Sequence, residues 1–294
     1  MRHNPFQGTG LALVTPFAAD GSLDRAALVR LVNHSIDGGV DFLVVLGTTG
    51  ETATLATDEK KQVLETVAET TNGRIPLVVG VGGNNTAAVC AQLEAGLPSG
   101  YTGVLSVSPY YNKPTQEGIY QHYKAVCGST DAPVILYNVP GRTGSNVLAN
   151  TVLRVAQDCP NAVAMKEASG NLEQAMAIIQ SAPAGFDVLS GDDNLTLPLL
   201  ACGAKGVISV SGQAYPRLFS GMVRDARAGR LEDAQRAHYE LFTFTQLLFA
   251  EGNPGGIKAA LAHLGLCENF LRLPLVPVSA ELNGQLRTLV AQLA

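Results

Sequence analysis

Charge is scarce in this chain. Only 15% of its 294 residues are charged while 46% are hydrophobic, where typical globular proteins carry roughly 25% charge. Such a chain must bury much of its surface, in a large core or between subunits. The same balance excludes a disordered chain, whose signature is the reverse. Long apolar runs are missing too: no stretch of about 18 uncharged apolar residues occurs, so no membrane span is expected. Residues Met1 to Pro5 open the chain without an apolar segment of signal-peptide length, and a cytoplasmic location is the expectation. Neither sign of charge dominates. Twenty Lys and Arg face 25 Asp and Glu, the basic residues are scattered, and neither nucleic acid nor an anionic membrane is an expected partner. The five cysteines (Cys90, Cys127, Cys159, Cys202, Cys267) are odd in number and form no CxxC, which reads as reduced thiols. The five histidines lie far apart without an HxH or HExxH, so no metal site is expected.

What is present is a rhythm of short Val-, Leu- and Ile-rich runs that do not alternate with polar residues. Strands buried on both faces read this way. In order they are Leu11–Val14, Phe42–Leu46, Ile75–Val79, Gly103–Val107, Val134–Tyr137, Val163–Met165, Asp187–Leu189 and Gly206–Ser209. Between them lie helical spacings, such as Leu28, Leu31, Val32 and Ser35, or Val63, Leu64 and Val67 behind a Thr57 N-cap. No GxGxxG follows the first run, which argues against a dinucleotide fold. The predicted class is α/β: a (β/α)8 TIM barrel over residues 1–230 with a C-terminal helical extension over residues 231–294. The extension should form helices over Leu231–Ala250, Asn253–Leu264 and Ser279–Leu293.

Chemistry in such a barrel sits on the loops after the strands. Gly47-Thr48-Thr49-Gly50-Glu51 follows the second run and offers hydroxyl and backbone donors to a small anion, or else is a tight turn bonded locally. Pro109-Tyr110-Tyr111-Asn112-Lys113-Pro114 follows the fourth, its paired aromatics fitting a lid or an interface anchor. The fifth run ends in Tyr137-Asn138-Val139-Pro140-Gly141-Arg142, a phenol beside a carboxylate-binding fork. Asp192 and Asp193 follow the seventh and read as a helix cap rather than a cation site.

Lys166 is the sharpest signal. Of seven lysines it alone continues an apolar strand, Val163-Ala164-Met165, and so projects toward the barrel mouth. Burial disfavours an ammonium and lowers its pKa. At a reference pKa of about 10.4, on the order of 0.04% of amines are neutral at pH 7; at about 7, half are. That gain suits Schiff-base catalysis. The competing reading pairs Lys166 with an acid such as Glu167, although strand neighbours point to opposite faces.

Together, Gly47–Glu51, Tyr110–Pro114, Tyr137–Gly144 and Met165-Lys166-Glu167-Ala168 resemble the signature blocks of the dihydrodipicolinate synthase family of pyruvate-dependent class I aldolases, in family order from about Gly8 onward. The resemblance implies that Lys166 forms an imine with pyruvate, that Thr49 donates to the pyruvate carboxylate, and that Tyr137 carries protons. Thr48 and Tyr111 would complete a hydroxyl relay, Tyr111 arriving from a neighbouring subunit of a homotetramer. Arg142 would hold the carboxylate of L-aspartate 4-semialdehyde, and the backbone at Gly191 and Ile208 would line the pyruvate pocket. No cofactor is implied beyond the covalent imine. Sugar-acid lyases and aldolases of the same superfamily are the alternative, and Arg142 argues against them. Asn84 and Tyr110 match the family's lysine-regulatory site, but Thr57, Lys60 and Ala88 stand where regulated members often carry His, His and Glu. Weak or absent inhibition by lysine is therefore expected. Gly255-Gly256, where many members have a proline, is expected to alter only a loop.

Overall fold

The computed structural model describes residues 4–293; Met1, Arg2, His3 and Ala294 lie outside it. Eight parallel strands close into a barrel in chain order: β1 (Gly8–Ala12), β2 (Phe42–Val45), β3 (Leu77–Gly80), β4 (Gly103–Val107), β5 (Val134–Asn138), β6 (Ala162–Glu167), β7 (Asp187–Ser190) and β8 (Gly206–Ser209). Closure is made by β1 on β8, with Gly10 opposite Ile208. Each strand is buried along almost its whole length, which explains the unbroken apolar runs.

The first strand begins and ends earlier than Leu11–Val14, the span its hydropathy suggests. Phe6 and Phe42 fill the interior near the strand starts, their rings 5.6 Å apart. A Cβ on Gly10 would stand 2.3 Å from the Phe42 ring, so the strand opposite Phe42 must be built without a side chain there. A second local correction concerns the helix Thr57–Thr71. Its cap is Ala56, not Thr57, and the Glu59 carboxylate accepts from the Ala56 N–H at 2.9 Å.

The helix Pro216–Arg227 follows β8 and completes the barrel, and after it come Leu231–Phe249, Gly255–His263 and Ala280–Leu293. Leu241, Phe244, Leu248, Ile257, Leu282 and Leu286 share one apolar cluster with Ala12, Val44 and Ile208 of the barrel. The C-terminal helices therefore cover the barrel mouth from one side. Gly255 and Gly256 lie in the first turn of a helix rather than in a loop, and both are buried. A Cβ on Gly256 would meet the Leu248 carbonyl oxygen at 2.2 Å, so the close approach of two helices depends on glycine. No described helix is long and apolar enough to cross a membrane.

Candidate active site

The register of β5 and β6 sets the site. Tyr137 lies opposite Lys166, and Asn138 opposite Glu167. Opposed residues of neighbouring strands share a face, and successive residues alternate. Tyr137 and Lys166 accordingly stand together, with the lysine Nζ 4.4 Å from the centre of the phenol ring. Asn138 and Glu167 take the other face. There Asn138 Nδ2 donates to Glu167 at 3.1 Å, and Gln174 Nε2 donates to the same carboxylate at 2.9 Å. Glu167 is thus committed away from Lys166. Behind the pair, the buried Tyr123 hydroxyl donates to the Ser106 carbonyl at 3.1 Å and sits 3.4 Å from the Tyr137 N–H, fixing the ends of β4 and β5.

Lys166 is 5% exposed and has no salt-bridge partner among the described residues. Burial pushes its ammonium down to about 8; the Asp193 carboxylate opposes that shift and the Arg142 guanidinium adds to it. Burial pushes the Tyr137 phenol up to about 12, with Arg142 offsetting part of the rise. The phenol therefore stays protonated near neutrality. Gly191 makes room for the lysine: a Cβ there would lie 3.1 Å from Lys166 Cε and 2.7 Å from Ala168 Cβ.

Asp192 caps the following 3-10 turn, accepting from the Asn194 N–H at 3.2 Å. Asp193 is buried, and its Oδ2 accepts from the backbone N–H groups of Val210 and Ser211 at 3.0 and 2.8 Å. It ties the ends of β7 and β8 together while placing a negative charge near Lys166. No group of three or more His, Cys, Asp or Glu able to hold a metal occurs among the described residues.

A cavity of about 630 Å³ collects Thr48, Thr49, Tyr137, Arg142, Lys166 and Gly191, with Phe242 and Phe249 of the C-terminal helices at one wall. That volume lies in the usual range for a small-molecule site. A second cavity of about 510 Å³ shares Thr48, Tyr137 and Arg142 and runs on to Lys60 and Tyr110. Ile208 is buried in the core, and Val210 rather than Ile208 lines the cavity beside Lys166. Tyr111 lies apart: it is 88% exposed, with a φ of 70°. Asn84 and Tyr110 do meet, Asn84 Nδ2 donating to the Tyr110 carbonyl at 3.2 Å.

Two features escaped the sequence reading. Asn253, in the turn between two C-terminal helices, lines both cavities and donates through Nδ2 to Thr49 Oγ1 at 2.9 Å. Lys258, placed on a helix, proves to be a second buried lysine. Its Nζ is bonded to Glu51 Oε1 and donates to the Phe270 carbonyl at 2.8 Å. Glu51 Oε2 accepts from the Arg272 N–H at 3.0 Å. A lone lysine flanked by Ile257, Ala259, Ala260 and Leu261 was the available clue.

A desolvated, unpaired amine inside a (β/α)8 barrel, next to a phenol and two threonines, places the protein among Schiff-base-forming lyases of the class I aldolase type. The comparison with known proteins narrows that class. The model of the dihydrodipicolinate synthetase family matches residues 5–293, and the chain belongs to that family. It is 53% identical to a 4-hydroxy-tetrahydrodipicolinate synthase of Flavobacterium psychrophilum, over 98% of this chain and 99% of that one. The crystal structure of the dihydrodipicolinate synthase of Thermotoga maritima superposes with a TM-score of 0.96 at 42% identity, covering 99% of each chain. The chloride-inhibited enzyme of Acinetobacter baumannii, solved in complex with pyruvate, matches at 0.94 and 38% identity over 98% of this chain and 99% of that one.

Proposed function

We propose that this protein is a 4-hydroxy-tetrahydrodipicolinate synthase: it condenses pyruvate with L-aspartate 4-semialdehyde to 4-hydroxy-2,3,4,5-tetrahydrodipicolinate, a step of lysine and diaminopimelate biosynthesis. The single observation that carries this reading is Lys166, a buried amine with a lowered pKa and no acid bonded to it, at the wall of a cavity that also holds Arg142. Neutral Lys166 Nζ attacks the pyruvate keto carbon, and water leaves as the imine forms. The imine draws electrons from the neighbouring methyl, which loses a proton to give the enamine. The enamine carbon attacks the aldehyde, whose oxygen takes up a proton and becomes the 4-hydroxyl. The substrate amine then adds to the imine carbon, closes the ring and releases Lys166 as a free amine. One water is lost overall. The scheme needs no metal or organic cofactor, because the iminium itself is the electron sink.

Within this reading each site residue has a role. Thr49 donates to the pyruvate carboxylate from the cavity wall. Tyr137 and Thr48 move protons at the imine carbon and at the aldehyde oxygen, with Tyr111 completing the relay from a neighbouring subunit. The exposure of Tyr111, Leu273 and Val276 (88%, 78% and 62%) supports an assembly that covers this face, and we take it to be a homotetramer built as a dimer of dimers. Arg142 faces the incoming carboxylate of the semialdehyde, and Gly191 and Val210 line the pyruvate pocket, with Ile208 packed in the core behind it. A biosynthetic role places the protein in the cytoplasm. Lys60 on the cavity that reaches Tyr110 adds a cation where a cationic effector would sit, which supports weak or absent inhibition by lysine.

Substrate specificity gives one test of the reading. Arg142→Ala should raise KM for aspartate semialdehyde by about ten- to a hundredfold, the effect of losing a charge-assisted fork, while reductive trapping of pyruvate continues. Turnover of the intact protein with keto-sugar acids in place of the semialdehyde, at equal rate, would instead assign it to the sugar-acid aldolases. The pH dependence of imine formation provides the second. The folded pKa of Lys166 lies below its ordinary 10.5, so neutral amine accumulates as pH rises through about 8. The trapping rate should level off there, and a rise continuing to pH 10 would show a solvated amine.

A further inference from the structure

Besides the Arg272 N–H bonded to Glu51, the C-terminal extension meets the hydroxyl loop Gly47–Glu51 at two points. One is the buried Lys258–Glu51 pair. The other is Asn253, whose Nδ2 donates to Thr49 Oγ1 at 2.9 Å and whose backbone carbonyl accepts from Arg142 Nη2 at 3.4 Å. Thr49 is 4% exposed, so its hydroxyl has few choices of partner. Thr49 and Glu51 are thus both held by one short stretch of the extension, Asn253 to Lys258.

A threonine hydroxyl has one proton and two lone pairs. If Asn253 occupies a lone pair, the proton is left to point elsewhere, and the free side of Thr49 is the cavity containing Lys166. The opposite amide orientation would bring Oδ1 to the hydroxyl and draw the proton away from the cavity. We propose that Asn253 is a positioning residue: by donating to Thr49 Oγ1 it directs the Thr49 proton at the substrate carboxylate, so that the barrel loop recognises pyruvate only when the C-terminal extension is docked on it. This rests on the assignment of Thr49 as the pyruvate carboxylate donor.

Kinetics of four variants test both claims separately. Asn253→Ala should raise KM for pyruvate by about tenfold, the usual effect of one hydrogen bond at a binding group. Its kcat at saturating pyruvate should stay within about threefold of wild type, since nothing that reacts has been removed. Asn253→Asp should be worse than alanine by at least about another tenfold, because a carboxylate takes the Thr49 proton and repels the substrate anion. Thr49→Val should raise the same KM at least as much as Asn253→Ala. Adding Asn253→Ala to Thr49→Val should then change KM no further, as expected when one residue acts through another. An aspartate variant as good as or better than the alanine one overturns the proposal, as does an Asn253→Ala effect undiminished in the Thr49→Val background. A Thr49→Val variant with wild-type KM would instead remove Thr49 from pyruvate binding.

Discussion

Lys166→Met is expected to end turnover, lowering kcat by roughly four orders of magnitude or more, as loss of a covalent nucleophile does. The same change is expected to make the protein more stable. The folded state holds the ammonium at a pKa of about 8 against an ordinary 10.5. That difference amounts to about 3 kcal/mol acting against the folded protein wherever the lysine is charged in both states. Methionine fills nearly the same volume, keeps the apolar contacts of the stem and carries no charge. The direction with pH follows from proton counting. Between about 8 and 10.5 the unfolded chain binds the proton and the folded one does not. Wild-type stability therefore gains from that group as pH rises, and the penalty is complete only below about 8. The advantage of Lys166→Met should be largest in thermal melts at pH 7 and shrink toward pH 10. A variant that melts lower than wild type at pH 7 would mean that the ammonium is well solvated or paired in the folded state.

The other buried lysine should behave in the opposite way. Lys258 and Glu51 are both fully enclosed, and each is bonded again beyond the pair, to the Phe270 carbonyl and the Arg272 N–H. Lys258 Nζ also stands 4.2 Å from the centre of the Phe17 ring. Burial pushes the Lys258 ammonium down, and the Glu51 carboxylate opposes that shift. Lys258→Met leaves that carboxylate buried and uncompensated, at a cost of about 3–5 kcal/mol. Adding Glu51→Gln should recover at least about half of the loss, because the neutral amide still accepts from Arg272 and can donate to Phe270. Chemical denaturation of the single and double variants measures both numbers. A single-variant loss below about 1 kcal/mol would show that the pair is solvated and contributes like a surface one. Pyruvate KM in the double variant also reports on the loop, since Glu51 holds a φ of 51° and closes the turn that carries Thr48 and Thr49.

The barrel was legible because parallel strands covered on both faces show as bare apolar runs, and the helices between them keep their own spacing. It blurred where glycine replaces bulk. Gly8, Thr9 and Gly10 carry little hydropathy, yet they form β1 because Phe42 takes the interior space beside them. The Lys166 signal was readable for the same reason as the strands: a charge ending an apolar run stands out, and alternation assigned Glu167 to the opposite face, where it is found. Asn253 and the Lys258–Glu51 pair were not readable as site features. Their partners lie 204 and 207 residues away in the chain, and only the docking of the extension brings them together. Tyr111 illustrates a different limit, since one chain folds with that ring in solvent.

Reductive trapping tests the central claim most directly. The purified protein is incubated with pyruvate, treated with borohydride, digested and mapped by mass spectrometry. One reduced pyruvate adduct per chain, confined to the peptide bearing Lys166, is the predicted result. An unmodified Lys166 peptide, or an adduct on Lys258 or a surface lysine while turnover proceeds, would contradict it.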